Sequence, residues 1–162
     1  MFGEVLGLPI HALVVHAAVI LVPLAALLGI IFLRPAWRMP LRWPLVIATA
    51  VATGTIFAAR QSGKMFKDVL SDQLTNSAAG KVVDRHEELG DQLWVWMLVF
   101  LAATVVAALL LPRLSNPLAG GGVSIIVAAL AVVVIVFVGL TGHQGSKAVW
   151  NPDGSQDYSG NG

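Results

Sequence analysis

The chain has 162 residues, 57% of them hydrophobic and 12% charged, with a net charge of +1 and no cysteine. Soluble domains carry about 25% charged residues, so there is too little polar surface here to wrap a water-soluble core. The charge balance points to no nucleic-acid partner, and the lack of thiols excludes disulfides, thiolate-held metals, iron–sulfur clusters and covalent c-type haem on this chain.

The apolar residues come in long blocks, which read as transmembrane helices. Residues Met1 to Pro9 contain Glu4 but no Lys or Arg, so the basic start of a secretory signal is missing and the block that follows is expected to be the first span. Span one is predicted over 10–33, with Pro9 suited to a first helical turn and Pro23 expected to kink the helix. A short Arg-, Trp- and Pro-rich connection follows. Span two is predicted over 45–59, extending toward Trp43 and past a snorkelling Arg60. Ala50, Gly54 and Ala58 form a small-residue stripe expected to pack against a neighbouring helix.

Residues 61–92 are the one sizeable polar segment. Phe66, Val69, Leu70 and Leu74 recur with helical period among Lys64, Lys67, Asp68 and Asp72. This predicts a short amphipathic helix, Met65 to Leu74, lying along the bilayer surface with those four apolar residues buried. A break at 71–80 is predicted next, then a helix from Lys81 running into span three at 93–111, which Pro112 ends. After an Asn-, Pro- and Gly-rich turn, span four is predicted over 123–140. The domain is expected to occupy residues 1–150, with 151–162 a disordered polar tail. No internal repeat is evident.

Span one has no basic residue before it and Arg34, Arg38 and Arg42 soon after it. Counting all Lys and Arg gives no clear answer, with Arg34, Arg38, Arg42 and Arg113 on one side and Arg60, Lys64, Lys67, Lys81, Arg85 and Lys147 on the other; the first helix usually dominates, so its trailing end is expected to be cytoplasmic and both termini extracytoplasmic in a bacterial plasma membrane. Trp37 and Trp43 on one side, and Trp94, Trp96 and Trp150 on the other, are expected to form two interfacial belts.

The four histidines, His11, His16, His86 and His143, all fall at the membrane face that carries the termini. Val82, His86, Leu89 and Leu93 share one helical stripe, with Asp84, Glu87, Glu88 and Asp91 on the other face, so His86 is predicted to point inward. His16 lies about a turn and a half inside span one, where an ionisable side chain is costly and suggests a function. His16 and His86 are therefore expected to approach each other, with His11 and His143 close by. His11 and His16 are five apart, roughly 140° around a helix, so they form no simple same-face chelate. Imidazoles from two facing helices are the usual axial ligands of b-type haem in four-helix bundles. Gly90, Gly142 and Gly145 would leave room for a porphyrin, and Arg60 and Lys64 would pair with its propionates. The alternative is a Cu or Zn ion held by three or four imidazoles. The HExxH metalloprotease pattern is absent, and no nucleophile–His–acid arrangement stands out.

The segments Leu8-Pro9-Ile10-His11 through His16, Gln61-Ser62-Gly63, His86-Glu87-Glu88-Leu89-Gly90, and Thr141 through Gly145 with Ala148-Val149-Trp150 resemble the motifs of an uncharacterised family of four-helix bacterial membrane domains. The likeness runs to about Trp150 and takes in all four histidines; Ala12 stands where the family often has Pro. The resemblance implies an electron-transfer role, because members are in some cases joined to or encoded near redox domains such as Rieske or cytochrome c modules. The sequence thus predicts an all-α transmembrane four-helix bundle in the lipid bilayer, with a surface helix in its second loop. The leading function is a haem b-binding redox subunit. The competing readings are an accessory or assembly subunit with structural histidines, and a Cu- or Zn-handling membrane protein.

Overall fold

The structure, a computed structural model, describes residues 4–5 and 7–157. Glu4–Val5 (β1) pairs antiparallel with Leu8–Pro9 (β2), and Gly7 at φ 80° turns the chain between them, a conformation that glycine adopts without penalty. The described chain after that is mainly helical: α1, Ile10–Ile31; α2, Pro35–Val69; α3, Ser71–Leu74; α4, Ala78–Leu110, closed by a 3-10 turn at Leu111–Arg113; and α5, Pro117–Trp150.

Four of these helices are long and apolar enough to cross a membrane. Each packs against two others around a ring in the order α1, α2, α4, α5, which leaves α1 diagonal to α4 and α2 diagonal to α5. The core is built from one stripe per helix: Ala18, Val22, Ala25 and Ala26 on α1; Leu45, Thr49, Ala52 and Ile56 on α2; Leu93, Met97, Phe100 and Ala107 on α4; Val127, Ala131 and Val134 on α5. Small residues let the backbones close up. At Gly29 an added Cβ would stand 3.0 Å from Phe100 Cζ and 3.1 Å from the Ala131 Cβ. The few buried hydroxyls are satisfied locally or across helices: Thr49 Oγ1 donates to its own helix and meets Thr104 Oγ1 at 3.0 Å. The outward faces carry large apolar side chains such as Ile20, Ile47, Ile125 and Ile126, all well exposed. In a water-soluble protein such a surface would be a liability; against lipid tails it is the matching solvent.

Several expected boundaries move. The Pro-rich connection is helical, because Pro35 occupies the first turn of α2 and Pro40 and Pro44 lie inside that helix. The separate surface helix does not form. Met65 to Val69 continue α2, α3 is a single turn, and Val69 is 80% exposed rather than buried. Leu70 and Leu74 do pack inward. The expected break is thus reduced to the turn before α4, where Asn76 adopts φ 59° and Ser77 Oγ caps α4 by accepting from the Gly80 N–H at 3.0 Å. The Gly142–Gly145 segment is not a turn but part of α5, which runs on to Trp150. Ala50, Gly54 and Ala58 face away from the bundle, so their stripe does not pack α2 against its neighbours. Trp94 and Trp96 are partly covered by Phe57 and Phe137, at ring-centroid distances of 5.4 and 6.2 Å. Of the expected tail, residues 151–157 form a turn in which Gln156 N donates to Asn151 Oδ1 at 3.1 Å; residues 158–162 lie outside the described residues.

Candidate functional site

Followed toward the end of the bundle that carries the start of α1 and the end of α5, the four core stripes change character. On α1 the stripe passes from Ala18 through Val15 to His11. On α2 it passes from Ile56 through Ala59 to Gly63, on α4 from Leu93 through Gly90 to His86, and on α5 from Val138 through Thr141 and Gly142 to Gly145. These residues line one cavity of about 390 Å³ with mainly apolar walls, within the size range of small-molecule and cofactor sites. The core gives up bulk here and gains two imidazoles.

His11 and His86 come from the diagonal pair α1 and α4 and meet across the bundle axis. Their ring centroids are 6.2 Å apart and their planes cross at 83°. Each ring is anchored by a backbone carbonyl of the next helix: His11 Nδ1 lies 3.0 Å from Ala59 O, and His86 Nδ1 lies 2.9 Å from Thr141 O. A carbonyl oxygen only accepts, so Nδ1 is the donor in each ring; in a neutral imidazole that leaves Nε2 as the acceptor nitrogen. Ser62 Oγ stands 3.4 Å from His11 Nδ1, and Phe66 stacks on His11 at 6.3 Å between centroids. This is the outer-shell arrangement usual for a metal-ligating histidine.

Charged residues line the same cavity. Arg60 is ion-paired with Asp91, and Lys67 Nζ lies 2.6 Å from Glu87 Oε2 and 2.8 Å from Asp84 Oδ1. These pairs tie α2 to α4. Lys64 also lines the cavity. Gly90 and Gly142 border it with no heavy atom within 4 Å of where a Cβ would stand.

The structure therefore brings together His11, His86, Arg60, Lys64, Gly90, Gly142 and Gly145, and leaves His16 and His143 elsewhere. Both of these are exposed on the outside of the bundle. Among the described residues His16 bonds back to its own helix, at Ala12 O, 2.5 Å. The reason is helical phase. His11 continues the buried stripe of Ala18, Val22 and Ala25, and a residue five positions on is turned roughly 140° away from it. The expected meeting of His16 with His86 does not occur; His11 takes that place. Among the described residues no group of three or more His, Cys, Asp or Glu side chains gathers at one point. Sequence reasoning missed Gly63, Ser62 and the carbonyls of Ala59 and Thr141. Carbonyl partners leave no mark in a sequence, though Gln61-Ser62-Gly63 already stood out as a motif.

Four apolar helices, outward apolar faces and a cavity at one end define a multi-pass, all-α membrane protein of four-helix-bundle type. Residues 7–155 match the model of a family described as predicted membrane protein, DUF2231, a domain of unknown function. The chain belongs to that family. No curated protein and no solved structure matches it.

Proposed function

We propose that this protein is a membrane redox subunit that holds one b-type haem between His11 and His86. The observation that carries the reading is the paired imidazoles, each donating from Nδ1 to a backbone carbonyl and both lining one apolar cavity, with ring centroids 6.2 Å apart. Two imidazoles that share one metal at about 2.0–2.1 Å per bond hold their ring centres roughly 6 Å apart. Two such ligands make half of a tetrahedral Zn or Cu site, but they make the whole axial set of a haem, whose porphyrin supplies the other four nitrogens. Gly90 and Gly142 leave open space along the cavity wall, and Lys64 and the Asp91-paired Arg60 line it and would meet propionates. When bound, the haem would supply one-electron chemistry. The chain's part is to hold the axial nitrogens, keep water out with apolar walls, and neutralise the carboxylates.

The lack of basic residues before α1, with Arg34, Arg38 and Arg42 soon after it, favours a cavity at the extracytoplasmic face of a bacterial plasma membrane. An electron-transfer partner such as a Rieske or cytochrome c module would dock there. The test is visible absorption of the purified protein after incubation with haemin in detergent. A Soret band of six-coordinate bis-imidazole type is expected. His11→Ala and His86→Ala should each abolish it or leave a five-coordinate spectrum, whereas His16→Ala and His143→Ala should keep it. No Soret band in the unmodified protein would overturn the reading. Bound Cu or Zn on elemental analysis would then favour metal handling, and neither would favour structural histidines that clamp the helix pairs.

A further inference from the structure

Each imidazole of the pair is held at two points, and the two devices are equivalent. The first point is the carbonyl at Nδ1. The second is a glycine one turn further along the same helix, four residues after the carbonyl. For His11 these are Ala59 and Gly63 on α2; for His86 they are Thr141 and Gly145 on α5. A Cβ at Gly63 would stand 3.0 Å from His11 Cε1 and 3.2 Å from its Nδ1, and a Cβ at Gly145 would stand 3.0 Å and 3.2 Å from the same atoms of His86. Both separations are shorter than ordinary van der Waals contact. A side chain at either glycine would make the ring edge give way by a few tenths of an ångström from its place at the carbonyl. Gly90 and Gly142, by contrast, have nothing within 4 Å of a Cβ position, so among the glycines that line the cavity the close approach to an imidazole is confined to Gly63 and Gly145. The clasps sit on diagonal helices, and they leave the rings crossed at 83°.

We infer that Gly63 and Gly145 are positioning residues: with the Ala59 and Thr141 carbonyls they hold His11 and His86 in the Nδ1–H tautomer with their ring planes near perpendicular, an orientation that a metal centre held by both rings would inherit. The electronic consequence rests on the haem reading above; the tautomers and the clasps belong to the ligand-free protein. Parallel axial imidazoles overlap the same iron d orbital and split the pair that points toward them. Perpendicular imidazoles act on both orbitals alike and leave them nearly equal in energy. The ferric low-spin signal is then strongly anisotropic, with one large g value, instead of rhombic.

Two measurements test this on the full chain in detergent. The first is histidine-labelled 15N NMR without haem, which is expected to show His11 and His86 as Nδ1–H tautomers. The second is low-temperature electron paramagnetic resonance after loading with haemin, which is expected to show the large-g signal. Gly63→Ala and Gly145→Ala should each shift that signal toward the rhombic form and lower the Nδ1–H population. Gly139→Ala, whose Cβ would meet nothing within 4 Å, should change neither. Unlabelled helicity and elution volume identify a variant that fails to fold, and the unmodified protein decides the matter even then. A rhombic signal from it, or Nε2–H tautomers, overturns the inference while leaving the haem reading intact. If no haem binds, the haem reading falls and the NMR alone decides the clasps: Nδ1–H at both residues sustains them, Nε2–H at either removes them.

Discussion

His11 and His16 show how much five positions on a helix decide. Both lie in the same apolar block, and the deeper one invites a functional reading because its burial is expensive. In the folded bundle the shallower one faces the axis and the deeper one faces outward. Substituting His11 should therefore remove a bound cofactor, and substituting His16 should not, as the absorption experiment reads directly. Elsewhere in the core the residue-scale effects concern packing. Gly29→Val would push two further methyl groups against Phe100 and Ala131, which already stand 3.0 and 3.1 Å from a Cβ position. Overpacking of this kind costs about 1–3 kcal/mol, so thermal unfolding in detergent should shift down clearly. Thr104→Val removes the partner of Thr49. Interhelical hydrogen bonds in membranes average only about 0.6 kcal/mol in double-mutant cycles. A cycle with Thr49→Val should give a coupling of that small size, since each hydroxyl also bonds its own helix.

At the scale of elements, the polar second loop is the main departure from expectation. The heptad-like spacing of Phe66, Val69, Leu70 and Leu74 is real, but the helix it belongs to is the continuation of α2 and not a separate one. Nothing between Ala59 and Val69 breaks a helix, and Lys67 anchors this extension to α4 through Asp84 and Glu87. Spin labels at Met65 and Val69 check the difference. A helix continuing outward from the membrane places Val69 about 6 Å further out along its axis, at 1.5 Å per residue; a surface-lying helix would give equal depths. The turn that follows is built for one conformation. Asn tolerates the left-handed region that Asn76 occupies, and Ser77 caps α4. Ser77→Ala should cost about 1 kcal/mol and speed amide exchange over residues 78–82. Gly80→Ala should do more damage than Ser77→Ala, because its Cβ would stand 2.2 Å from the carbonyl oxygen of Leu74.

At the scale of the whole molecule, the two halves use one plan. The hairpin of α1 and α2 and the hairpin of α4 and α5 each begin with a histidine near the start of the first helix, and each second helix receives it with a carbonyl and a glycine. No repeat is visible in the amino acids because the shared feature is a register of backbone positions, Ala59 with Gly63 and Thr141 with Gly145, embedded in dissimilar apolar sequence. Four spans bring the start of α1 and the end of α5 to one end of the bundle. Reporter fusions placed after Leu33 and after Gly162 are expected to read cytoplasmic and extracytoplasmic respectively. A cytoplasmic reading at Gly162 would reverse the orientation and move the cavity to the inner face.

By itself the sequence determined an all-α bundle with four helices long and apolar enough to cross a bilayer. Hydropathy over long blocks is a sum over many residues, so errors at single positions cancel. The inward phase of His86 was equally legible, because Leu89 and Leu93 sit on the same stripe and both are buried. Only the tertiary structure decided which second histidine joins it. Span one is apolar on every side, so its sequence carries almost no signal of which face turns inward; that choice is made by Gly29, Ala25, Ala26 and Ala18, small enough for close packing against neighbouring helices. The same packing brings Ala59 and Thr141 carbonyls within reach of two rings, contacts between residues 48 and 55 positions apart. Such contacts depend on how helices are set against one another, and a linear pattern of side chains does not encode that setting residue by residue.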